Sequence, residues 1–279
     1  MNAAIINGVT GFPLGHTLSP QLHGKIYEML GLNAVMKAFP AQDIQEVLQV
    51  MRAQPLELLA VTLPHKQEVM KYLDDVDEEA KIIGAVNTVV NRGGKLYGYN
   101  TDIAGISEAL SPFQLKGENC LILGAGGVAR PVAHYLKKCG ANIFCFNRTR
   151  EKADELMKEF GGITVSNIES QPENYKLLVN ATPVGMYPNI SVSPFPEKLL
   201  NASKIVFDLI YNPHETKLLS DAKKRGALSI SGLTMFLEQA CEQVRIWSGK
   251  VLEEQQKAKL KTYLENLISS QSSPGTSRS

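Results

Sequence analysis

Residues 121–129 read LILGAGGVA, an apolar run that passes directly into the glycine pattern GxGxxA. Gly124 permits a tight turn after a strand, Gly126 lets the backbone approach a pyrophosphate, and Ala129 lets the next helix pack closely. The N–H groups at the start of that helix can then bind phosphates. We therefore predict a Rossmann-type dinucleotide-binding loop made of Gly124, Ala125, Gly126, Gly127, Val128 and Ala129.

Around this loop the chain alternates short apolar runs with amphipathic stretches. The predicted strands are Cys120–Leu123, Ile143–Phe146, Leu177–Asn180 and Ile205–Leu209. Strands that alternate with helices indicate a parallel sheet with right-handed crossovers. A helix is predicted before the series, at Asp102–Leu110, and the chain is predicted to be helical from Gly232 to about Ile268.

The turn after the second of these strands indicates which dinucleotide binds. It reads Phe146-Asn147-Arg148-Thr149-Arg150, and Lys152 follows. A site for NAD normally has Asp or Glu here, which bonds the ribose 2′-hydroxyl. No carboxylate is present, whereas Arg148 can pair with a 2′-phosphate and Thr149 can donate a hydrogen bond. We predict NADP, held at this turn by Asn147, Arg148, Thr149, Arg150 and Lys152.

The first hundred residues form another series of strands and helices. The predicted strands are Ile5–Val9 and Leu58–Thr62, and the predicted helices are Ser19–Gly31, Asp43–Met51 and Gln67–Leu73. Ser19-Pro20 is typical of a helix cap followed by proline at the first helical position. Two glycines, Gly93 and Gly94, separate Val86–Asn91 from Lys95–Tyr99 and predict a β-hairpin.

The length of the chain sets the expected number of domains. Its 279 residues correspond to roughly two domains of about 150 residues. We predict an α/β protein with a Rossmann-type NADP-binding domain at 106–233 and an N-terminal α/β substrate domain with a mainly parallel sheet at 1–105. The C-terminal helices, 234–268, are expected to return to the first domain. The Ser- and Pro-containing segment 269–279 is expected to be disordered.

Composition excludes several classes of protein. The 29 Lys and Arg residues against 28 Asp and Glu give a net charge of +1, which argues against a nucleic-acid partner and a polybasic membrane anchor. No apolar run approaches the ~20 residues of a membrane span, and the first residues lack a secretory signal pattern. The four cysteines lack zinc-ligand spacing. We expect a cytoplasmic protein with reduced thiols and no metal; monomer and homodimer both stay open.

Four polar segments follow predicted strands in the first domain: GHTLSP (15–20), VTLPHK (61–66), GAVNT (84–88) and GYNTD (98–102). Because ligands bind beyond the carboxyl ends of strands in α/β sheets, these loops can converge on one cleft. Hydroxyls at a helix N-terminus suit a carboxylate, and Asn, Thr, Lys and Asp suit ring hydroxyls, so a small polyhydroxylated acid would fit. Ordinary structural roles are also open, as caps, turn residues or surface groups, for Ser19, His65, Lys66, Asn87 and Asp102.

These segments, in this order, resemble the shikimate dehydrogenase family, whose members are NADP-dependent enzymes of aromatic biosynthesis. The resemblance extends to about residue 265. Besides the four segments above, it includes GAGGVAR (124–130), NRTR (147–150), ATPVGM (181–186), DLIYNP (208–213) and GLTMFLEQA (232–240).

The resemblance implies a role for each matching residue. Lys66 corresponds to the catalytic lysine and Asp102 to its partner carboxylate. The implied carboxylate-binding residues are Thr17, Ser19 and Tyr211, and the implied hydroxyl-binding residues are Thr62, Asn87 and Gln239. The further implied cofactor contacts are Thr182, Leu209, Gly232 and Met235, with Glu78 contacting the cofactor across the cleft.

The implied reaction is the reversible NADPH-dependent reduction of 3-dehydroshikimate to shikimate, with hydride reaching C3. Lys66 can stabilise the developing oxyanion and donate its proton, and Asp102 can hold the ammonium group in place. The family usually has serine where this chain has Thr17, and the extra methyl group opens the choice between shikimate and the bulkier quinate.

Three alternatives are weighed against this function. An NAD-preferring quinate/shikimate dehydrogenase is disfavoured by Arg148, Thr149 and Arg150, whereas Thr17 leaves room for it. A non-catalytic dinucleotide-binding regulator would be expected to lack Lys66 or Asp102, and both are present. A methylene-tetrahydrofolate dehydrogenase would give no reason for the NTD segment at 100–102.

Overall fold

The computed structural model describes residues 3–15, 17–54, 56–170, 174–201 and 204–272. The chain folds into two six-stranded sheets, each flanked by helices. This arrangement confirms the α/β fold predicted from the alternating apolar pattern.

The first sheet has the strand order β2-β1-β3-β5-β6-β4. Its strands are β1 (Ile5–Gly11), β2 (Ala34–Pro40), β3 (Leu56–Val61), β4 (Asp75–Val76), β5 (Thr88–Arg92) and β6 (Lys95–Tyr99). Three of its pairings are parallel, and β5 runs antiparallel to β3 and β6. The hairpin β5–β6 and the mainly parallel sheet are therefore confirmed. The helices of this half are α1 (Ser19–Met29), α2 (Ile44–Ala53) and α3 (Glu78–Ile83).

The second sheet is parallel throughout, in the order β12-β11-β10-β7-β8-β9. Its strands are β7 (Asn119–Leu123), β8 (Asn142–Phe146), β9 (Ile163–Thr164), β10 (Leu177–Asn180), β11 (Ile205–Asp208) and β12 (Leu228–Ser231). The associated helices are α5 (Ala129–Lys138), α6 (Arg150–Phe160) and α7 (Lys217–Lys224). This is the doubly wound Rossmann order, in which the direction of winding reverses between β7 and β10.

Three helices join the halves and complete the first one: α4 (Asp102–Leu110), α8 (Leu233–Ser248) and α9 (Glu254–Ser272). The helices α4 and α8 cross closely because Gly105 has no side chain; a Cβ there would lie 2.5 Å from the carbonyl oxygen of Met235. Further along, α8 and α9 pack with α1 and the first sheet, and Leu264 and Ile268 share a core with Leu22 and Ile26.

The structure differs from the sequence predictions at several places. Strand β2 was not predicted, because only Met36 of its seven residues is buried and its pattern is therefore weak. The segment predicted as a helix at Gln67–Leu73 is a five-residue 3₁₀ helix, Glu68–Tyr72. Helix α1 begins at Ser19, with Leu18 in the cap position and no side-chain cap. The expected Ser19 cap is therefore wrong.

The C-terminal prediction also needs correction. Residues 269–272 continue α9 rather than being disordered, and 273–279 lie outside the described residues. Serine hydroxyls donate hydrogen bonds to backbone carbonyls of the last turns. Ser269 donates to the Glu265 carbonyl oxygen at 2.8 Å, and Ser270 donates to the Leu267 carbonyl oxygen at 2.8 Å. Composition alone did not reveal this, because the burial of Ile268 anchors the helix end.

Candidate active site

The glycine loop connects β7 to α5 at the point where the second sheet changes its direction of winding. Gly124 has φ +100°, and a Cβ there would lie 2.9 Å from the carbonyl oxygen of Ala181, so the turn accepts only glycine. At Gly126 no described atom beyond its two chain neighbours lies within 4 Å of where a Cβ would be. The backbone of the loop is therefore open to a phosphate, as this type of turn requires.

Lys66 and Asp102 form a buried ion pair beside this loop. The Lys66 Nζ donates to Asp102 Oδ2 at 2.7 Å, and the two side chains are only 11% and 5% exposed. Lys66 follows strand β3 and Asp102 begins α4, so the two halves of the pair come from separate loops. A Cβ on Gly127 would lie 3.1 Å from the Cβ of Lys66. The ion pair is thus next to the cofactor loop.

Asn87 fixes the second oxygen of the same carboxylate. Its Nδ2 donates to Asp102 Oδ1 at 2.8 Å and to Thr101 Oγ1 at 3.0 Å. Its Oδ1 accepts from the Thr101 N–H at 2.8 Å and from the Thr88 hydroxyl at 2.8 Å. Both Asp102 oxygens are therefore bonded, and the carboxylate cannot rotate away from Lys66.

Three hydroxyl groups meet at the start of α1. Thr17 Oγ1 donates to Ser19 Oγ at 3.2 Å, and its side chain also bonds the Tyr211 hydroxyl, which comes from the second half of the chain. Burial raises the pKa of Tyr211, while the bonds from Leu18 and Thr17 act in the opposite direction. Tyr211 stacks on Phe236, with ring centroids 3.9 Å apart. Such a cluster of neutral donors suits a carboxylate ligand.

The remaining predicted substrate residues are partly accessible. Thr62 directly follows β3 and is half-buried, as is Gln239 on α8. Gln239 donates to the carbonyl of Phe236 at 2.9 Å.

His65, for which a structural role was left open, is buried. Its Nε2 donates to the Ala41 carbonyl at 2.8 Å, which identifies it as a structural histidine.

The basic turn after β8 leaves one arginine available. Arg148 is exposed, and no ion pair between described residues includes it. Arg150 lies 3.5 Å from Asp154 on its own helix. Asn147 donates to the Thr149 carbonyl at 2.7 Å and holds the turn. Lys152 is exposed on α6.

Two family models match the chain, one in each half. The model described as the shikimate dehydrogenase substrate binding domain matches residues 9–89, and that described as shikimate / quinate 5-dehydrogenase matches 107–187. A shikimate dehydrogenase (NADP(+)) from Shouchella clausii is 42% identical over 254 residues, covering 87% of this chain and 92% of that protein. The chain belongs to the shikimate dehydrogenase family.

Two solved shikimate dehydrogenases have the same architecture. One, in complex with NADP+, superposes with a TM-score of 0.87 at 38% identity and covers 95% of this chain and 96% of that chain. The other, shikimate 5-dehydrogenase from Thermus thermophilus in complex with NADP(H) and shikimate, has a TM-score of 0.84 at 36% identity. That match covers 93% of this chain and 99% of the other.

In this member of the shikimate dehydrogenase family, Glu78 lies in the first turn of the short helix α3. Its carboxylate pairs with Lys81 on the same short helix at 2.7 Å and is exposed. The next residue, Glu79, points towards α5 and pairs with His134 and Lys138. The contact of Glu78 with a cofactor stays a prediction, and its carboxylate is exposed.

The other predicted cofactor residues lie at the ends of β10, β11 and β12. Thr182 Oγ1 donates to Asn180 Oδ1 at 2.7 Å. Leu209 donates its N–H to the Asn180 carbonyl at 3.1 Å, and Gly232 packs directly on the Leu209 carbonyl oxygen. Met235 is buried in the first turn of α8.

A buried carboxylate that the sequence analysis missed holds these loops together. Asp208 Oδ1 accepts from Asn180 Nδ2 at 2.9 Å and from the Ile210 N–H at 3.1 Å, and Oδ2 accepts from the Thr216 hydroxyl at 2.6 Å. Burial raises the pKa of Asp208 to about 6, against the opposing effect of these hydrogen bonds. Asp208 and Asn180 thereby position Thr182 and the chain after β11.

Asp208→Asn is expected to flatten the pH dependence of stability. The folded state binds this proton more tightly than the unfolded chain, so the stabilisation is greatest below the ordinary carboxyl pKa and is lost as the pH rises through about 6. Asparagine does not ionise and keeps the bonds from Asn180 and Ile210 to its oxygen, whereas its amide nitrogen donates to the Thr216 hydroxyl instead of accepting from it. We expect the decline in free energy of unfolding between about pH 4 and pH 6 to lessen by up to about 1.4 kcal/mol per pH unit. Urea unfolding across this range measures it; an unchanged slope contradicts it, and the exposed Asp154→Asn is the control.

Gln243 is a second residue that the sequence analysis missed. It is buried on α8, and its Nε2 donates to the Asn87 carbonyl at 3.2 Å and to Thr88 Oγ1 at 3.0 Å. Its Oε1 lies 3.0 Å from His23 Nε2, and burial lowers the pKa of His23 to about 4. The other ring nitrogen of His23 lies 2.9 Å from the Ser19 carbonyl. This chain of contacts connects Ser19, at the start of α1, with Asn87.

Neither a metal centre nor a membrane span was found within the described ranges. No cluster of three or more His, Cys, Asp or Glu residues there could hold a metal ion. None of the described helices is long and apolar enough to cross a membrane.

Proposed function

We propose that this chain catalyses the reversible NADPH-dependent reduction of 3-dehydroshikimate to shikimate, a step of aromatic amino acid biosynthesis. The observation that carries the proposal is the buried Lys66–Asp102 ion pair, 2.7 Å between Nζ and Oδ2, next to a Rossmann glycine loop. Its relatives in the shikimate dehydrogenase family support the same activity.

The substrate is proposed to bind with its carboxylate at the start of α1. The hydroxyls of Thr17, Ser19 and Tyr211 lie together there and can donate to it. Its ring hydroxyls are assigned to three residues on the other sides of the cleft, Thr62, Asn87 and Gln239. Among these, Asn87 is already oriented by its bonds to Thr101 and Asp102.

Lys66 is proposed to be the general acid in reduction and the general base in oxidation. Its ammonium group can stabilise the oxyanion that develops on the substrate and give it a proton. Asp102 holds that ammonium group by a charge-assisted hydrogen bond, and Asn87 keeps the carboxylate in place. NADPH, when bound, supplies the hydride.

The residues present fit NADP. Space beside Gly126 is open for the pyrophosphate, and Gly124 keeps the turn tight against Ala181. Arg148 is exposed and unpaired among the described residues, so it can bind a 2′-phosphate. The nicotinamide half of the cofactor is assigned to Thr182, Leu209, Gly232 and Met235.

The proposal is tested by cofactor reduction with the purified chain, crossing NADP and NAD with shikimate and quinate. Turnover mainly with NADP and shikimate is expected. Turnover mainly with NAD or quinate would instead assign the chain to the quinate/shikimate dehydrogenases that use NAD. Absence of turnover in a folded protein would refute the enzymatic proposal and favour a dinucleotide-binding regulator.

Thr17→Ser is expected to relax the preference for shikimate over quinate. The variant keeps the hydroxyl that donates to Ser19 but removes a methyl group from the carboxylate side of the pocket. One methyl group in a pocket changes kcat/KM by about 10-fold or more. We expect the quinate-to-shikimate ratio of kcat/KM to rise by roughly this factor. Thr262→Ser on α9 is the matched control, and an unchanged ratio in Thr17→Ser contradicts the prediction.

Cytoplasmic location and the absence of nucleic-acid and membrane partners belong to the same proposal. The four cysteines are free, in keeping with a reducing compartment. The net charge of +1 offers no general attraction to nucleic acid. Shikimate and 3-dehydroshikimate are the proposed small-molecule partners.

A further inference from the structure

Arg130 makes a contact between the two halves of the chain that the proposed mechanism does not use. It lies in the first turn of α5 and is buried despite its charge. Its Nε donates to the carbonyl oxygen of Ile83, the last residue of α3, at 2.6 Å. Its two terminal nitrogens bond the carboxylate of Glu159 on α6, and the guanidinium lies 5.5 Å from the ring centre of Phe160.

The end of α3 is shaped to receive this guanidinium. Gly84 caps the helix with φ +68°, and a Cβ on it would lie 2.5 Å from Arg130 Nη2. The carbonyls at the C-terminal end of a helix carry partial negative charge, which favours a cation there. A charge-assisted bond to Ile83 in a buried position is stronger than an exposed ion pair. The contact is therefore a specific one and not an incidental surface pairing.

Each partner in this contact is close in the chain to one of the two proposed binding sites. On one side, α5 starts at the end of the cofactor loop, one residue before Arg130. On the other, Gly84 is followed by Ala85, Val86 and Asn87, and the Val86 N–H donates to the Lys66 carbonyl at 2.7 Å. Arg130 thus connects helix α5 to the segment 84–87, which carries Asn87 and bonds the Lys66 backbone.

A second pair of contacts joins the same two helices nearer the surface. Glu79 accepts from Lys138 Nζ at 2.9 Å and lies 3.1 Å from His134 Nε2. Lys138 is 61% exposed, and an exposed ion pair contributes little. Lys138 therefore offers a matched control on the same helix.

We propose that Arg130 is a positioning residue that couples substrate binding to cofactor binding across the cleft. It makes the segment 84–87 and helix α5 move as one body, so a ligand that orders one side favours binding at the other. By linkage the effect is reciprocal, so the bound cofactor lowers the Kd of the substrate by the same factor. This inference rests on the proposed function for the identity of the two ligands.

The test measures binding with NADPH and shikimate, which are both reduced and cannot react with each other. The coupling factor is the Kd of NADPH alone divided by its Kd at saturating shikimate, followed by cofactor fluorescence. For the unchanged chain we expect at least about 5-fold, the lower end of typical coupling. For Arg130→Ala we expect less than about 2-fold, with each ligand's separate Kd changed less than about threefold.

Two further variants make the result decisive. Lys138→Ala should keep the full coupling factor. Arg130→Lys keeps a charge but loses the planar guanidinium, which bonds Ile83 through Nε and Glu159 through both terminal nitrogens, so it should also lose coupling; it decides the question if the alanine variant does not fold.

Three results would overturn the inference: no coupling in the unchanged chain, full coupling in either folded Arg130 variant, or equal loss of coupling in Lys138→Ala. Failure of the proposed function looks different, because shikimate would then neither bind nor be oxidised.

Discussion

Lys66→Ala is expected to lower kcat about 10²–10⁴-fold, the range for loss of a general acid. The lysine Nζ lies 2.7 Å from Asp102 Oδ2, and no other described ammonium group shares this carboxylate. Removing it leaves the developing oxyanion without its proton donor, whereas the hydroxyl cluster at Thr17 and Ser19 still binds the substrate. KM should therefore change much less than kcat.

Steady-state rates with NADP and shikimate, in the direction of oxidation, measure this effect. Lys37→Ala is a suitable control, because Lys37 is an exposed lysine on β2 of the same sheet. The assignment of Lys66 fails if the alanine variant keeps a near-normal kcat.

The second large effect concerns the choice between NADP and NAD. Arg148→Ala should raise KM for NADP by about 10–100-fold, because a hydrogen bond to a charged partner contributes about 1.5–3 kcal/mol. NAD lacks the 2′-phosphate, so its KM should stay within about threefold. Parallel titration of both cofactors at saturating shikimate gives the two values.

Arg150→Ala provides the comparison for Arg148. Its guanidinium is already engaged by Asp154 at 3.5 Å, so we expect a smaller loss for NADP. Equal losses for NADP and NAD in Arg148→Ala would show that this arginine does not recognise the 2′-phosphate.

The glycine loop was predictable because its chemistry is local. A turn that needs φ +100° at Gly124 and close backbone approach at Ala181 leaves a glycine signature in the sequence. The β5–β6 hairpin was predictable in the same way from its two glycines. The predicted bounds of β6 and α4 match the structure, whereas β5 runs from Thr88 to Arg92 instead of from Val86 to Asn91. Strand β2 and helix α3 escaped prediction because tertiary contacts, and not their own periodicity, hold them in place.

The buried polar residues that position the loops were not predicted, for a different reason. Asn180 and Asp208 each end an apolar strand, and the two strands pair at these residues. That pairing becomes evident only when the strand order is known, although a polar residue at the end of an apolar run was a usable signal. Gln243 lies one turn after Gln239 on α8, which placed it on the same helix face. In the sequence, Arg130 is simply the last residue of the glycine motif. Its partner Ile83 lies 47 residues away, so the contact could not be predicted.

The return of α9 to the first sheet has a consequence for synthesis of the chain on the ribosome. Leu264 and Ile268 fill the core beneath α1, so the half that is translated first lacks its last apolar layer until α9 has been translated. The second sheet is complete at Ser231, the last residue of β12, and Met235 of α8 adds the last buried side chain to its core. Domains generally fold in the order in which they emerge. We therefore expect the internal half to fold before the N-terminal half, whose core includes side chains of α8 and α9.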